Sequence, residues 1–325
     1  MGRNLKNSQP IVVGIGEVLW DILPQKRLLG GAPANVVFHC SQLGADSYLV
    51  SELGDDELGN EMGDLLTNLE FKPDFLNVRA GYPTGTVSVW FDASQNPRYR
   101  IQEDVAWDCI RWSPQLEDLA RKADAVCFGS LAQRGLVSRE TIGRFLDCTS
   151  PSCLRVLDIN LREPYLDSAV LLASLERASV LKLNTEELDY LSNLLALKGN
   201  TQNRIVHMIQ MFNLSCVALT RGAQGSTLVT DDETVDCSGL ETNVRDTVGA
   251  GDAFTAAMIV GLLRKIPLHE VNLMAGRIAS CVCAQAGAMV SLPFEVVLGL
   301  RGLEIPVQGY RKQQMGPKDT SRART

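Results

Sequence analysis

Asp246-Thr247-Val248-Gly249-Ala250-Gly251-Asp252-Ala253-Phe254 joins a small-residue turn, an acid and the start of an apolar segment. Gly249, Ala250 and Gly251 carry little or no side chain, so their backbone N–H groups can approach a ligand closely. Residues 255–265 are rich in Ala, Leu, Ile, Val and Met and read as a helix. The N–H groups before it then lie at a helix N-terminus, where free donors and the macrodipole favour an anion. Asp252 is therefore either a helix cap or a base held beside a bound phosphate.

Outward from this turn, apolar stretches near residues 11–16, 47–53, 125–129, 156–160, 180–184 and 216–220 read as strands. Segments near 34–43, 56–69, 139–147, 167–178 and 203–212 read as helices between them. Repeated strand–helix alternation predicts an α/β fold, a mostly parallel central sheet flanked by helices on both faces. Gly14 and Gly16 follow the start of a dinucleotide fingerprint, but no third glycine comes three residues on, and that reading is set aside. Between 80 and 112 the character changes. Thr86-Val87-Ser88-Val89-Trp90-Phe91 alternates with period two, a polar turn follows, and Tyr99-Arg100-Ile101 returns. This is a hairpin, and antiparallel pairing inside a helix-alternating chain predicts a small β lid. The strands end in polar residues: Asn160 and Arg162, Lys182 and Asn184, Thr220 and Arg221. Ligands of open α/β sheets bind beyond the carboxyl ends of the strands, so these residues mark the site.

The chain's 325 residues, 45% hydrophobic and 21% charged, fit one large globular domain. A net charge of −7 excludes a generic nucleic-acid or anionic-membrane surface. Nine cysteines scattered through apolar segments read as small core residues in a reducing compartment. The three histidines show no metal-ligand spacing. No signal-peptide pattern or membrane-spanning run is present, and the expected location is the cytoplasm. Residues 1–10 read as a flexible tail, 11–305 as the domain with lid segments near 13–35 and 80–112 inserted, and 306–325 as a disordered tail.

The combination resembles the ribokinase-like (PfkB) family of sugar and nucleoside kinases. The opening stretch is similar to the family's C-terminal signature, and Gly30-Gly31-Ala32-Pro33-Ala34-Asn35-Val36 to its N-terminal one. Asp158-Ile159-Asn160-Leu161-Arg162, Asn184-Thr185-Glu186-Glu187 and Thr220-Arg221-Gly222-Ala223-Gln224-Gly225 support them in order. The resemblance implies a ribokinase-like fold and ATP-dependent sugar phosphorylation. Gly16-Glu17, Asp21-Ile22-Leu23-Pro24 and the glycine pair resemble fructokinases most, with 2-keto-3-deoxygluconate kinases next. A non-catalytic relative would be expected to lose the acid or the glycines, and both are present.

Phosphoryl transfer to a hydroxyl needs positioning and charge neutralisation. Asp252 sits where a sugar hydroxyl would meet the γ-phosphate, and the resemblance makes it the general base. At a helix N-terminus its pKa is expected below the ordinary ~3.9. Alone, a capping aspartate worth ~1 kcal/mol is the simpler reading; the accompanying motifs turn it to catalysis. Gly249, Ala250, Gly251 and the Asp252 N–H are the expected anion hole. The family match places Asp21, Gly30, Gly31 and Asn35 on the sugar, with Arg98 and Arg162 as further contacts. Lys182, Asn184, Thr220, Gly222, Gly225 and Gly251 fall to the nucleotide, Lys182 because an unpaired cation in an apolar strand asks for an anion. Glu187 is expected to order Mg²⁺ through water, with a capping pair to Asn184 as the alternative. Asp246 and the Val248 carbonyl resemble a monovalent-cation site, where K⁺ would stiffen the turn. Expected partners are a small sugar and ATP. The apolar lid residues Val87, Val89 and Phe91 need cover, which points to a homodimer through the lid.

Overall fold

Strands that are apolar at every position need cover on both faces, and the central strands are used in that way. The computed structural model describes residues 9–91, 97–293 and 295–297. The chain begins with β1 (Ile11–Ile15), β2 (Leu19–Leu23), β3 (Lys26–Gly30), α1 (Ala32–Gln42), β4 (Asp46–Gly54), α2 (Glu57–Asn68) and β5 (Leu76–Arg79). The hairpin β6 (Thr86–Phe91) and β7 (Pro97–Ile101) follows, then α3 (Pro114–Lys122), β8 (Ala125–Phe128), α4 (Leu136–Cys148) and β9 (Leu154–Asp158). Next come α5 (Ser168–Arg177), β10 (Val180–Asn184), α6 (Thr185–Leu194), α7 (Thr201–Phe212) and β11 (Cys216–Thr220). The pair β12 (Ser226–Val229) and β13 (Thr234–Cys237) precedes α8 (Ala250–Leu263) and α9 (Leu268–Cys283).

Nine strands form one sheet in the order β13-β12-β11-β10-β9-β8-β1-β4-β5. Its pairings are parallel except at β12 and β13. Alternation along each strand divides the core in two. Val13, Ile15, Phe128, Leu181, Leu183 and Leu219 pack with Ile142, Phe145, Leu171, Leu188 and Ile205 of the helices from α4 to α7. Val12, Cys127, Val156, Val180 and Ala218 pack with Phe254, Met258, Val271 and Ile278 of α8 and α9. Lys182 lies between Leu181 and Leu183, and Asp158 follows Leu157, so both point to the α8 side.

Four strands form a second sheet, β3-β2-β6-β7, which is the lid. β2 and β6 run parallel, joining the two hairpins. The lid is narrower than the sequence suggests. Val13 lies in the main sheet as part of β1, α1 starts at Ala32, and Trp107 is wholly buried in the main core. Helix α1 starts earlier than its pattern because Pro33 is tolerated in a first turn. The hairpin β2–β3 was not read as such because its Pro24-Gln25 turn lacks the glycine that marks tight hairpins. Of the expected tails, Pro10 is buried and its carbonyl accepts from the Asp46 N–H at 2.8 Å; residues 1–8 and 306–325 lie outside the described residues. Among the described residues no helix is long and apolar enough to cross a membrane.

Candidate active site

Asp252 stands inside the first turn of α8 and does not cap it. The cap is Gly249, with φ 78° and no side-chain bond. A methyl group there would stand 2.5 Å from the Ala288 Cβ, so only glycine fits the turn. The Ala250 N–H donates to the Thr247 carbonyl at 3.3 Å. Of the donors expected to form an anion hole, the Ala250 N–H is thus engaged, while those of Gly251 and Asp252 lack intrahelical acceptors. Asp252 is 8% exposed, and its Oδ2 accepts from Asn35 Nδ2 at 2.7 Å. Burial, reinforced by Asp158, pushes its carboxyl up to about 6, against Lys182, Asn35 and Arg162. The lowered value expected from the helix dipole is thus overturned, because desolvation outweighs it. The result is a stronger base than an ordinary aspartate, still ionised at neutral pH.

Beneath Asp252, Lys182 Nζ and Asp158 Oδ1 meet at 2.9 Å, their side chains 6% and 2% exposed. Lys182 is therefore paired, which corrects the reading of a lone cation. Burial alone would lower its pKa, but Asp158, Glu187 and Asp252 outweigh burial and raise it. The Thr255 hydroxyl lies 2.7 Å from the other Asp158 oxygen. A methyl at Gly251 would stand 3.1 Å from Lys182 Nζ, so this ammonium sits directly behind the anion-hole turn.

Asn184 and Glu187 form a reciprocal cap on α6: the Glu187 N–H donates to Asn184 Oδ1 at 2.9 Å, and the Asn184 N–H to Glu187 Oε2 at 2.8 Å. Glu187 Oε1 also accepts from the Leu161 N–H at 3.2 Å, tying down the loop after β9. Burial raises its pKa. Among the described residues no three His, Cys, Asp or Glu groups are placed to hold a metal ion.

On the lid side, Glu17 and Asn160 line a small cavity with Ala32, Pro33, Ser130 and Asp158. Glu17 is 4% exposed, and its Oε2, Asn35 Oδ1 and Asn160 Nδ2 are buried without a hydrogen-bond partner. Unpaired buried polar atoms are costly, and a hydroxyl-rich ligand would satisfy them. Burial pushes Glu17 up to about 7 and Asp21 up to about 6, with Arg162 acting against both. Arg162 itself is exposed, its Nη1 donating to the Leu161 carbonyl at 2.9 Å. Asp21 Oδ2 would lie 2.8 Å from a methyl on Gly30, and one on Gly31 would strike the Glu17 carbonyl. The missing side chains of these glycines thus make room for the protein's own acid and backbone. Glu17 and Asp158, missed from sequence, each stand at the carboxyl end of a buried strand, the one signal that could have found them.

Of the nucleotide-side residues, Gly222 has φ 54° and open space around it, as a ligand loop requires. Gly225 is packed against residues 237–239, a methyl there lying 2.5 Å from the Gly239 nitrogen, so its smallness serves the chain's own turn. Thr220 Oγ1 is 3.4 Å from the Leu183 carbonyl. Asp246 accepts from the N–H groups of Val248 at 3.1 Å and Gly287 at 3.0 Å, drawing the turn to the segment after α9. That segment is held from the other side by His39 Nε2, which donates to the Ala288 carbonyl at 2.9 Å. Burial pushes His39 down to about 4, so it is the neutral ring that does this. Arg98 pairs with Trp90 along the lid hairpin; its side chain lies outside the described residues, as do those of Val89 and Phe91. Val87 is buried within the chain and needs no partner's cover.

The profile of the pfkB family of carbohydrate kinases matches residues 25–295. An uncharacterized sugar kinase of Pyrococcus horikoshii is 30% identical over 291 residues, 84% of this chain and 89% of that protein. Its solved structure superposes with a TM-score of 0.76 at 28% identity, over 90% of this chain and 99% of that one. Fructokinase-2 of Solanum habrochaites is 26% identical over 319 residues, 90% of this chain and 96% of that protein. An ATP-bound fructokinase of Xylella fastidiosa shares the fold, with a TM-score of 0.77 at 22% identity, over 90% of this chain and 98% of that one.

Proposed function

The chain belongs to the pfkB family of carbohydrate kinases, and on that premise we propose that it transfers the γ-phosphoryl group of ATP to a hydroxyl of D-fructose. A single observation carries the chemistry: one buried carboxylate, Asp252, is joined to Asn35 of α1 and set beside the free N–H groups that open α8. Asp252 accepts the hydroxyl proton as the oxygen bonds to phosphorus, an effect typically worth roughly 10²–10⁴ in rate. The N–H groups of Gly251 and Asp252, with Lys182 behind them, hold the developing phosphoryl charge. Gly222 and Thr220 flank the nucleotide phosphates. The use of ATP is supported by an ATP complex of the Pyrococcus horikoshii protein.

Mg²⁺ fits as an ion carried on the nucleotide phosphates, since no three acids converge among the described residues, and Glu187 is the acid available to order its water shell. When bound it would neutralise phosphate charge. Asp246 and the Val248 carbonyl are the proposed K⁺ ligands, at a turn Asp246 already draws together.

The acids on the lid side favour a neutral sugar. Asp21 is an acceptor for hydroxyls, Glu17 at about 7 can accept or donate, and a substrate carboxylate would meet Asp21 as a like charge. A 2-keto-3-deoxygluconate kinase is the second reading, in which Arg162 pairs with the substrate acid. Incubation with ATP, Mg²⁺ and a panel of sugars and sugar acids, following ADP, separates them: fructose turnover is expected, and turnover of a sugar acid alone overturns the substrate. In Asp252→Asn we expect a folded protein that binds ATP and has lost about 10³-fold or more of its activity; near-normal activity would end the general-base role. We further propose a homodimer through the lid, where Trp90 and Tyr99 are 46% and 65% exposed.

A further inference from the structure

A tyrosine outside every motif ties the end of the lid hairpin to the loop after β9. Asp21, Val87 and Ile101 stand side by side across the lid, register partners in β2, β6 and β7. At the end of that row the Tyr165 hydroxyl lies 2.9 Å from the Ile101 carbonyl and 3.0 Å from the Glu103 carboxylate, one proton serving two acceptors. The Tyr165 N–H donates to the Arg162 carbonyl at 2.8 Å, so the ring and Arg162 belong to one turn. The same loop begins at Asn160, whose φ is 46° and whose unpartnered amide lines the cavity. The row therefore runs from Asp21 across the lid and back to Asn160 and Arg162.

Arg134 holds this closure in place. Its guanidinium centre lies 4.1 Å from the centre of the Trp107 ring and 4.6 Å from that of Tyr165. It bonds both Asp108 oxygens, at 2.8 and 2.9 Å, and donates to the Gln102 carbonyl at 2.5 Å. The end of β7 is thus held twice, by Tyr165 at Ile101 and by Arg134 at the next residue.

We propose that Tyr165, held by Arg134, is a positioning residue for the acceptor sugar: it sets the spacing between Asp21 on the lid and Asn160 and Arg162 on the loop after β9. The proposal rests on the sugar-kinase reading. A lid displaced by as little as ~1 Å weakens every contact that must span the cavity. Among the described residues, the hydrogen bonds and ring contact of Tyr165 go to Ile101, Glu103, Arg162 and Arg134, none of them in α8, β10 or β11.

The test is steady-state kinetics of full-length Tyr165→Phe, which keeps the ring and loses the hydroxyl. The expected result is a sugar KM raised about three- to tenfold, the equivalent of one hydrogen bond. ATP KM and kcat stay near those of the parent, while the sugar-free protein melts slightly lower, because the hydroxyl's bonds are already made without sugar. Arg134→Lys, which loses the fork and the stacking, is expected to raise the sugar KM further, again without moving the ATP KM. An unchanged sugar KM in an active Tyr165→Phe protein, or equal rises in both KM values, overturns the proposal alone. A parent protein that phosphorylates no sugar overturns the kinase reading and this proposal with it.

Discussion

At the scale of single residues, the site is defined by acids kept out of water. Glu17 is pushed up to about 7, and Asp21 and Asp252 to about 6, each first by burial. Between pH ~4 and 7 the folded chain therefore binds more protons than the unfolded chain, and these groups make stability fall as pH rises. Asp56 and Asp236, whose carboxyls are held below the ordinary range, act in the opposite sense below pH ~4, and His39, pushed down to about 4, does so up to its ordinary ~6.5, but one ring is outweighed by three acids. Under the proposed mechanism catalysis runs against stability, since Asp252 would have to be ionised to accept a proton. The expected outcome is a sugar-free protein that melts higher at pH 5.5 than at 7.5, while kcat/KM falls as pH drops through about 6. Thermal melts and a pH–rate profile on the same preparation check both halves. Glu17→Gln should flatten the melting curve by removing the most strongly shifted acid and should weaken sugar binding. A melting temperature that climbs steadily from pH 5.5 to 7.5 would contradict this account. None of these shifts was legible in the sequence: Asp252 followed by an apolar helix looks like an acid at a favourable dipole, and only packing shows that desolvation prevails.

At the scale of elements, the turn into α8 is built by contacts from α1 and from the segment after α9. Gly249→Ala places a methyl against Ala288 at a positive φ. Strain and overpacking together are expected to cost about 2–4 kcal/mol and to remove activity. Gly222→Ala, at φ 54° with nothing within 4 Å, should cost only the backbone term, about 1 kcal/mol. Urea unfolding of the two variants measures the difference, and equal losses would refute the packing argument. Strand β10 offers a second test. Lys182→Met leaves Asp158 charged, buried and unpaired, an expected loss of about 3–5 kcal/mol. Lys182→Met combined with Asp158→Asn should recover much of it; no recovery would mean that the pair is not what Lys182 stabilises. The elements read from the sequence were legible because their periodicities are strong, while α3, α9, β5 and the pair β12–β13 were not read. The hairpin β2–β3 was not, since its turn carries no glycine signal, nor was the Lys182–Asp158 pair, since two strands 24 residues apart must first become neighbours.

At the scale of the whole molecule, the lid sheet carries Trp90 and Tyr99 to the surface. If they meet a second copy, the protein elutes from a sizing column at twice the mass of the chain, and Trp90→Ser shifts it toward the monomer. A parent chain that elutes as a monomer at high concentration rules out the lid dimer. The alternation of strand and helix and the polar residues at strand ends determined by themselves the fold class and the end of the sheet where a site lies, and the family resemblance of the motif around Asp252 added the class of sugar kinase, because turn chemistry and hydrophobic period are local properties of the chain. Which groups face one another was decided only by the tertiary structure. Asn35 reaches Asp252 across 217 residues, and Tyr165 reaches Ile101 across 64. Such contacts, and the desolvation that sets the strength of the base, come from packing between distant segments, which no local pattern encodes.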